Sequence, residues 1–106
     1  MKEVEIIAHQ GELVAKIICD IDHHTAKAVR ECIDAELRCI MPKQLIMDFS
    51  EVDFMDSSGI GLILGRVSEL DKIGATLLVR GLSEYHTMIL RMAGIEKIKG
   101  VELRRR

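Results

Sequence analysis

From Leu45 onward, short apolar runs and segments of helical period take turns, and that alternation is the strongest constraint on how this chain can fold. Leu45-Ile46-Met47 is a consecutive apolar run that suits a strand buried on both faces. A segment starting near Ser57 then places Ile60, Ile63, Leu64, Val67 and Leu70 on one helical face, with Gly74 as its left-handed stop. Ala75 to Val79 reads as a strand. Ser83 caps a third helical segment containing Tyr85, Met88, Ile89 and Met92, which Gly94 ends, and Ile98 to Leu103 reads as a last short strand. Strand, helix, strand, helix, strand implies parallel strands joined by right-handed crossovers.

The first 40 residues add a different unit. Val4 to Ile7 and Leu13 to Ile18 read as two strands around a Gln10-Gly11 turn, which predicts an antiparallel hairpin. His23 to Ile40 has helical period through Ala26, Val29, Ile33, Leu37 and Ile40; Asp22 is its expected N-cap and Pro42 marks its end. The predicted fold is α/β: one mixed sheet, an opening hairpin followed by parallel strands, with three or four packed helices. Residues 1–106 fit one domain.

Composition narrows the function classes. With 48% apolar and 30% charged residues, the chain has the balance of a soluble globular protein. No apolar stretch is long enough to span a bilayer, and the N-terminus lacks a secretory core, so a cytoplasmic location is expected. A net charge of −2 and only Phe49, Phe54 and Tyr85 as aromatics argue against nucleic-acid binding. Cys19, Cys32 and Cys39 form no C-x-x-C pair and are expected as reduced thiols; Cys32 lies on the apolar face of the first helix. Arg104, Arg105 and Arg106 are expected as a solvated tail.

The chemistry concentrates in Asp56-Ser57-Ser58-Gly59, at the carboxyl end of a buried strand and the start of a helix. Capping accounts for one serine, but not for an acid and two hydroxyls together. A phosphate there would meet free N–H groups and the positive end of the helix dipole, while Asp56 would oppose it. The G-x-S-x-G elbow and the Walker A lysine are both absent, so neither a serine hydrolase nor a nucleotide loop is indicated. Asp22-His23-His24-Thr25 is a polar segment that caps the first helix and offers a charged surface beside the serine loop. Adjacent histidines are expected to point apart, which argues against a metal site. Leu62 lies about 160–200° from the main apolar face, so it either packs under a loop or stands exposed as a partner contact.

Asp22-His23-His24-Thr25-Ala26, together with the run from Asp56 to Arg66, resembles the anti-sigma factor antagonists of bacteria, which are STAS-domain proteins. The likeness covers nearly the whole chain, is most specific at Phe54 to Gly59, and is greatest to the sporulation-type antagonists of the anti-sigma F factor. The resemblance implies a mixed sheet flanked by helices and a partner-switching role. The unphosphorylated antagonist binds an anti-sigma factor that is also a serine kinase, and so frees a sigma factor. That kinase phosphorylates the antagonist with its own ATP and magnesium, and a phosphatase resets it. By position, Ser57 is the implied phosphoacceptor and Ser58 the helix cap. Asp22 is an acid near the partner surface, and Gly59 and Gly61 leave the helix start open to close approach. His23, His24, Asp56 and Leu62 complete the implied partner-binding set. The resemblance implies no catalysis and no cofactor for this chain. Asp20 departs from the pattern, standing where a glutamate is expected, and the usual final helix is expected to be missing or shortened. The alternatives are a STAS module of another circuit, such as a stress-response scaffold, or a small-ligand or nucleotide sensor.

Overall fold

The structure, a computed structural model, describes residues 3–106. β1 (Val4–His9) and β2 (Glu12–Ile17) form the expected antiparallel hairpin around Gln10 and Gly11. α1 (His23–Ile40), β3 (Gln44–Asp48), α2 (Ser58–Asp71), β4 (Thr76–Leu82) and α3 (Glu84–Met92) follow, and a 3₁₀ turn leads into β5 (Val101–Arg105). The five strands lie in chain order, and every pair after the hairpin is parallel. The expected mixed sheet is therefore borne out, with three α-helices among the described residues.

Because sheet order equals chain order, each crossover steps to the next strand in the same direction. Three right-handed crossovers of that kind place all three helices on one face. Burial follows this rule. The register rows Leu13–Leu45–Leu77 and Ala15–Met47–Val79–Leu103 share one apolar core with Val29 and Ile33 of α1, Ile63 and Leu70 of α2, and Leu90 of α3. The other face carries the row Val14–Ile46–Leu78, flanked by Lys16, Asp48 and Arg80. Ile46 and Leu78 are buried but stand outside that core. Ile46 is thus buried as expected, though its neighbours cover it rather than a second layer of helices.

The expected face of α2 is corrected. Ile63 and Leu70 are buried, but Leu64 is 40% exposed, whereas Leu62 is only 4% exposed. The cause is α1, which lies alongside α2. Arg66 of α2 is 3% exposed, and its Nε lies 2.9 Å from the Asp34 carboxylate of α1. Burial lowers the Arg66 pKa, and the Asp34 charge opposes that shift. α2 therefore buries one flank on the sheet and a second, through Leu62 and Arg66, on α1.

Arg104, Arg105 and Arg106 are exposed as expected, but they are not a loose tail. Arg104 and Arg105 belong to β5. Arg106 donates from Nε to the Gly81 carbonyl (2.7 Å) and from Nη2 to those of Phe49 (3.2 Å) and Val52 (2.8 Å). The planar fork of the guanidinium spreads its donors widely enough to reach all three carbonyls at the end of the sheet.

Candidate functional site

The parallel strands β2, β3 and β4 end at one edge of the sheet, so the segments leaving them are neighbours. The β3–α2 segment is held there point by point. Arg106 takes Phe49 and Val52. The Asp20 carboxylate accepts from the backbone N–H groups of Asp53 (3.3 Å) and Phe54 (3.1 Å). Ile21 pairs with Met55 in a parallel bridge, donating to the Phe54 carbonyl and accepting from Asp56 N–H. The segment containing Asp20 and Asp22 is thereby laced to the serine loop, the juxtaposition expected from the sequence.

At the helix start the division of labour differs from expectation. Ser58 is the first residue of α2, not its cap. Asp56 Oδ1 accepts from the Ser58 N–H at 2.8 Å. An aspartate reaches the amide two residues ahead in an Asx turn, which leaves the serine hydroxyls out of the capping. Ser57 occupies the N-cap position with a helical backbone and makes no side-chain cap bond. Its hydroxyl is exposed, and nothing on this chain takes its proton among the described residues.

Asp22 is the N-cap of α1, as expected. Its carboxylate accepts from His24 N–H and Thr25 N–H, and Thr25 Oγ1 accepts in return from Asp22 N–H, all at 2.9 Å. These bonds, led by that from Thr25 N–H, hold the Asp22 carboxyl below its ordinary pKa. His23 and His24 do not point apart: their ring centroids lie 4.1 Å from each other. The first turn of a helix has no preceding turn to restrict its rotamers, so the two rings can lean together. Among the described residues, no group of three metal-ligating side chains converges.

His23, Ala26, Lys27 and Arg30 of α1 face Ser58, Gly61 and Leu62 of α2 across a shallow groove. Leu62 forms part of the floor there rather than standing exposed. The two glycines separate. A Cβ on Gly59 would fall on the Met55 side chain, so Gly59 is a packing position and not an opening for a partner; a Cβ on Gly61 would meet nothing within 4 Å. Arg106 and the gripping role of Asp20 were not foreseen. Asp20 could have been noticed as an acid two residues before a cap, whereas no sequence signal marks Arg106.

Comparison with known proteins agrees with the fold. Residues 3–105 match the family model described as the STAS domain. The anti-sigma F factor antagonist of Paenibacillus polymyxa is 30% identical over 96 residues, which cover 91% of this chain and 82% of that protein. The anti-sigma-B factor antagonist of Listeria monocytogenes is 30% identical over 89 residues, covering 78% and 75%. The solved structure of the anti-sigma factor antagonist SpoIIAA in its unphosphorylated form superposes with a TM-score of 0.79 at 23% identity, covering 94% of this chain and 86% of that one.

Proposed function

The chain belongs to the STAS-domain family of anti-sigma factor antagonists, and on that premise we propose that Ser57 is the residue through which it is switched. One observation carries the reading. Asp56 performs the capping, so the exposed Ser57 hydroxyl has no structural task. A phosphoryl group on it would sit at the positive end of α2 and change the local surface by about −1.5 to −2 charge units at neutral pH.

In this reading the unphosphorylated chain binds an anti-sigma factor and frees its sigma factor. The anti-sigma factor, acting as a serine kinase, transfers phosphate from ATP to Ser57 and dissociates; a phosphatase removes it. The chain supplies a hydroxyl and a docking surface, not catalysis, and works in the cytoplasm as one domain without touching nucleic acid. Asp22, His23, His24, Asp56, Ser58 and Gly61 frame the contact surface around Ser57. Gly59 and Leu62 contribute by shaping the loop and the groove floor.

Incubation with the cognate kinase, ATP and magnesium, followed by phosphopeptide mapping, tests this reading. Phosphate on Ser57 is expected; phosphate only elsewhere overturns the assignment. The Listeria relative, named for the sigma-B system, favours a second reading in which another sigma factor is controlled. Capture with purified anti-sigma F and anti-sigma-B factors separates the two.

A further inference from the structure

We propose that Arg106 is a positioning residue for the Ser57 loop: it fixes the start of the β3–α2 segment, so that Ser57 is presented in one geometry. Its guanidinium gathers carbonyls from two separate places, Phe49 and Val52 at the beginning of the loop and Gly81 near the end of β4. Its own backbone is anchored, since Arg106 N–H donates to the Leu82 carbonyl at 2.9 Å. The clamp thus refers the loop to the β4–β5 side of the sheet, whereas Asp20 and Ile21 refer it to the β2 side.

The β4 strand is shaped to permit this. Its pairing with β5 shifts between Val79 and Leu82, and Gly81 takes φ +74° there. A Cβ on Gly81 would come within 2.7 Å of Ser50 N, so only glycine lets β4 approach the loop this closely. The Gly81 carbonyl then faces the same guanidinium as those of Phe49 and Val52. His86 provides an internal reporter. It is 4% exposed, its Nδ1 has no hydrogen-bond partner, and the Arg106 charge acts on it. A charge-assisted bond to each carbonyl is stronger than a neutral one, and loss of the guanidinium releases all three carbonyls at once.

The proposal rests on the reading of Ser57 as phosphoacceptor, but its first test does not require that reading. Amide hydrogen exchange is measured on the full chain, as wild type, Arg106→Lys and Arg106→Gln. In Arg106→Gln, amides of residues 50–57 are expected to exchange about tenfold faster, while those of the central strands β3 and β4 keep their protection. Arg106→Lys, which reaches fewer carbonyls, should fall between. The His86 imidazole pKa, followed by NMR, should rise in Arg106→Gln and stay low in Arg106→Lys. Unchanged loop exchange, or uniform acceleration across the sheet, overturns the clamp.

The second arm is phosphorylation by the cognate kinase. Arg106→Gln should lower kcat about tenfold with KM within about twofold, as expected when presentation rather than docking is lost. Unchanged kcat overturns the positioning role. Phosphate mapped away from Ser57 in wild type would fail the functional reading while leaving the exchange result standing, so the two failures are distinguishable.

Discussion

The carboxylate of Asp20 lies 3.1 Å from the backbone nitrogen of Phe54, thirty-four residues away in the chain. This side chain, together with the Ile21–Met55 bridge, sets how far the serine loop stands from the cap of α1. Asp20→Ala should cost about 1 kcal/mol, the usual net worth of such a bond. Urea unfolding measures the loss, and exchange of the 53–55 amides should rise with it. An unchanged exchange pattern would show that the Ile21–Met55 bridge alone holds the loop.

Ser57 and Asp56 should separate fold from signal. Ser57→Ala should leave stability within about 0.5 kcal/mol of wild type, as expected for a surface group without partners. It should also abolish phosphorylation. Asp56→Ala should cost about 1 kcal/mol as a lost cap. Ser57→Asp should weaken capture of the unphosphorylated chain's partner, measured by calorimetry; equal affinity would count against the charge mechanism.

The two glycines of α2 should respond in opposite directions. Gly59→Ala forces a methyl onto Met55 and should destabilise by about 1–3 kcal/mol. Gly61→Ala meets open space and should stabilise by up to about 1 kcal/mol through helix propensity. If the groove is a docking surface, Gly61→Ala should still weaken partner binding. Unaltered affinity in a stabilised variant would remove Gly61 from the interface.

The α1–α2 seam depends on Asp34 and Arg66. Asp34→Ala leaves a nearly buried guanidinium without its partner and should cost about 3 kcal/mol, whereas Arg66→Met paired with Asp34→Leu should recover most of that. Denaturation midpoints of the single and double variants check this. Similar losses in both would mean that packing, not charge, holds the seam.

Burial, reinforced by the Arg106 charge, lowers the His86 pKa below its ordinary 6.5. Between the two values the unfolded chain binds more protons than the folded one. Stability should therefore be complete above about pH 6.5, fall as pH drops toward the folded value, and level off below it. Urea midpoints between pH 7.5 and 5 should show this slope, and His86→Leu should flatten it.

Much of the fold was legible because periodicity and punctuation agreed. Asp22 and Pro42 bracket α1, and Gln10-Gly11 turns the hairpin. The face of α2 was not legible, because it depends on a second helix whose position is tertiary: Leu62 and Arg66 are buried by α1, and one-faced periodicity favours Leu64 instead. At the site, the nearness of the Asp22 segment to the serine loop was readable from strand order. The resemblance implies Ser58 as the cap, and propensity, which ranks Ser and Asp alike, does not correct it; the bond from Ser58 N–H to Asp56 does. Arg106 was unreadable for a different reason: its partners are main-chain carbonyls, which leave no mark in sequence.

Because Asp56 rather than a serine closes the first turn of α2, the fold keeps no record of what happens at Ser57. Replacing the Ser57 side chain therefore leaves the first-turn bond from the Ser58 amide to Asp56 intact, so this position can vary without dismantling the entrance to the helix.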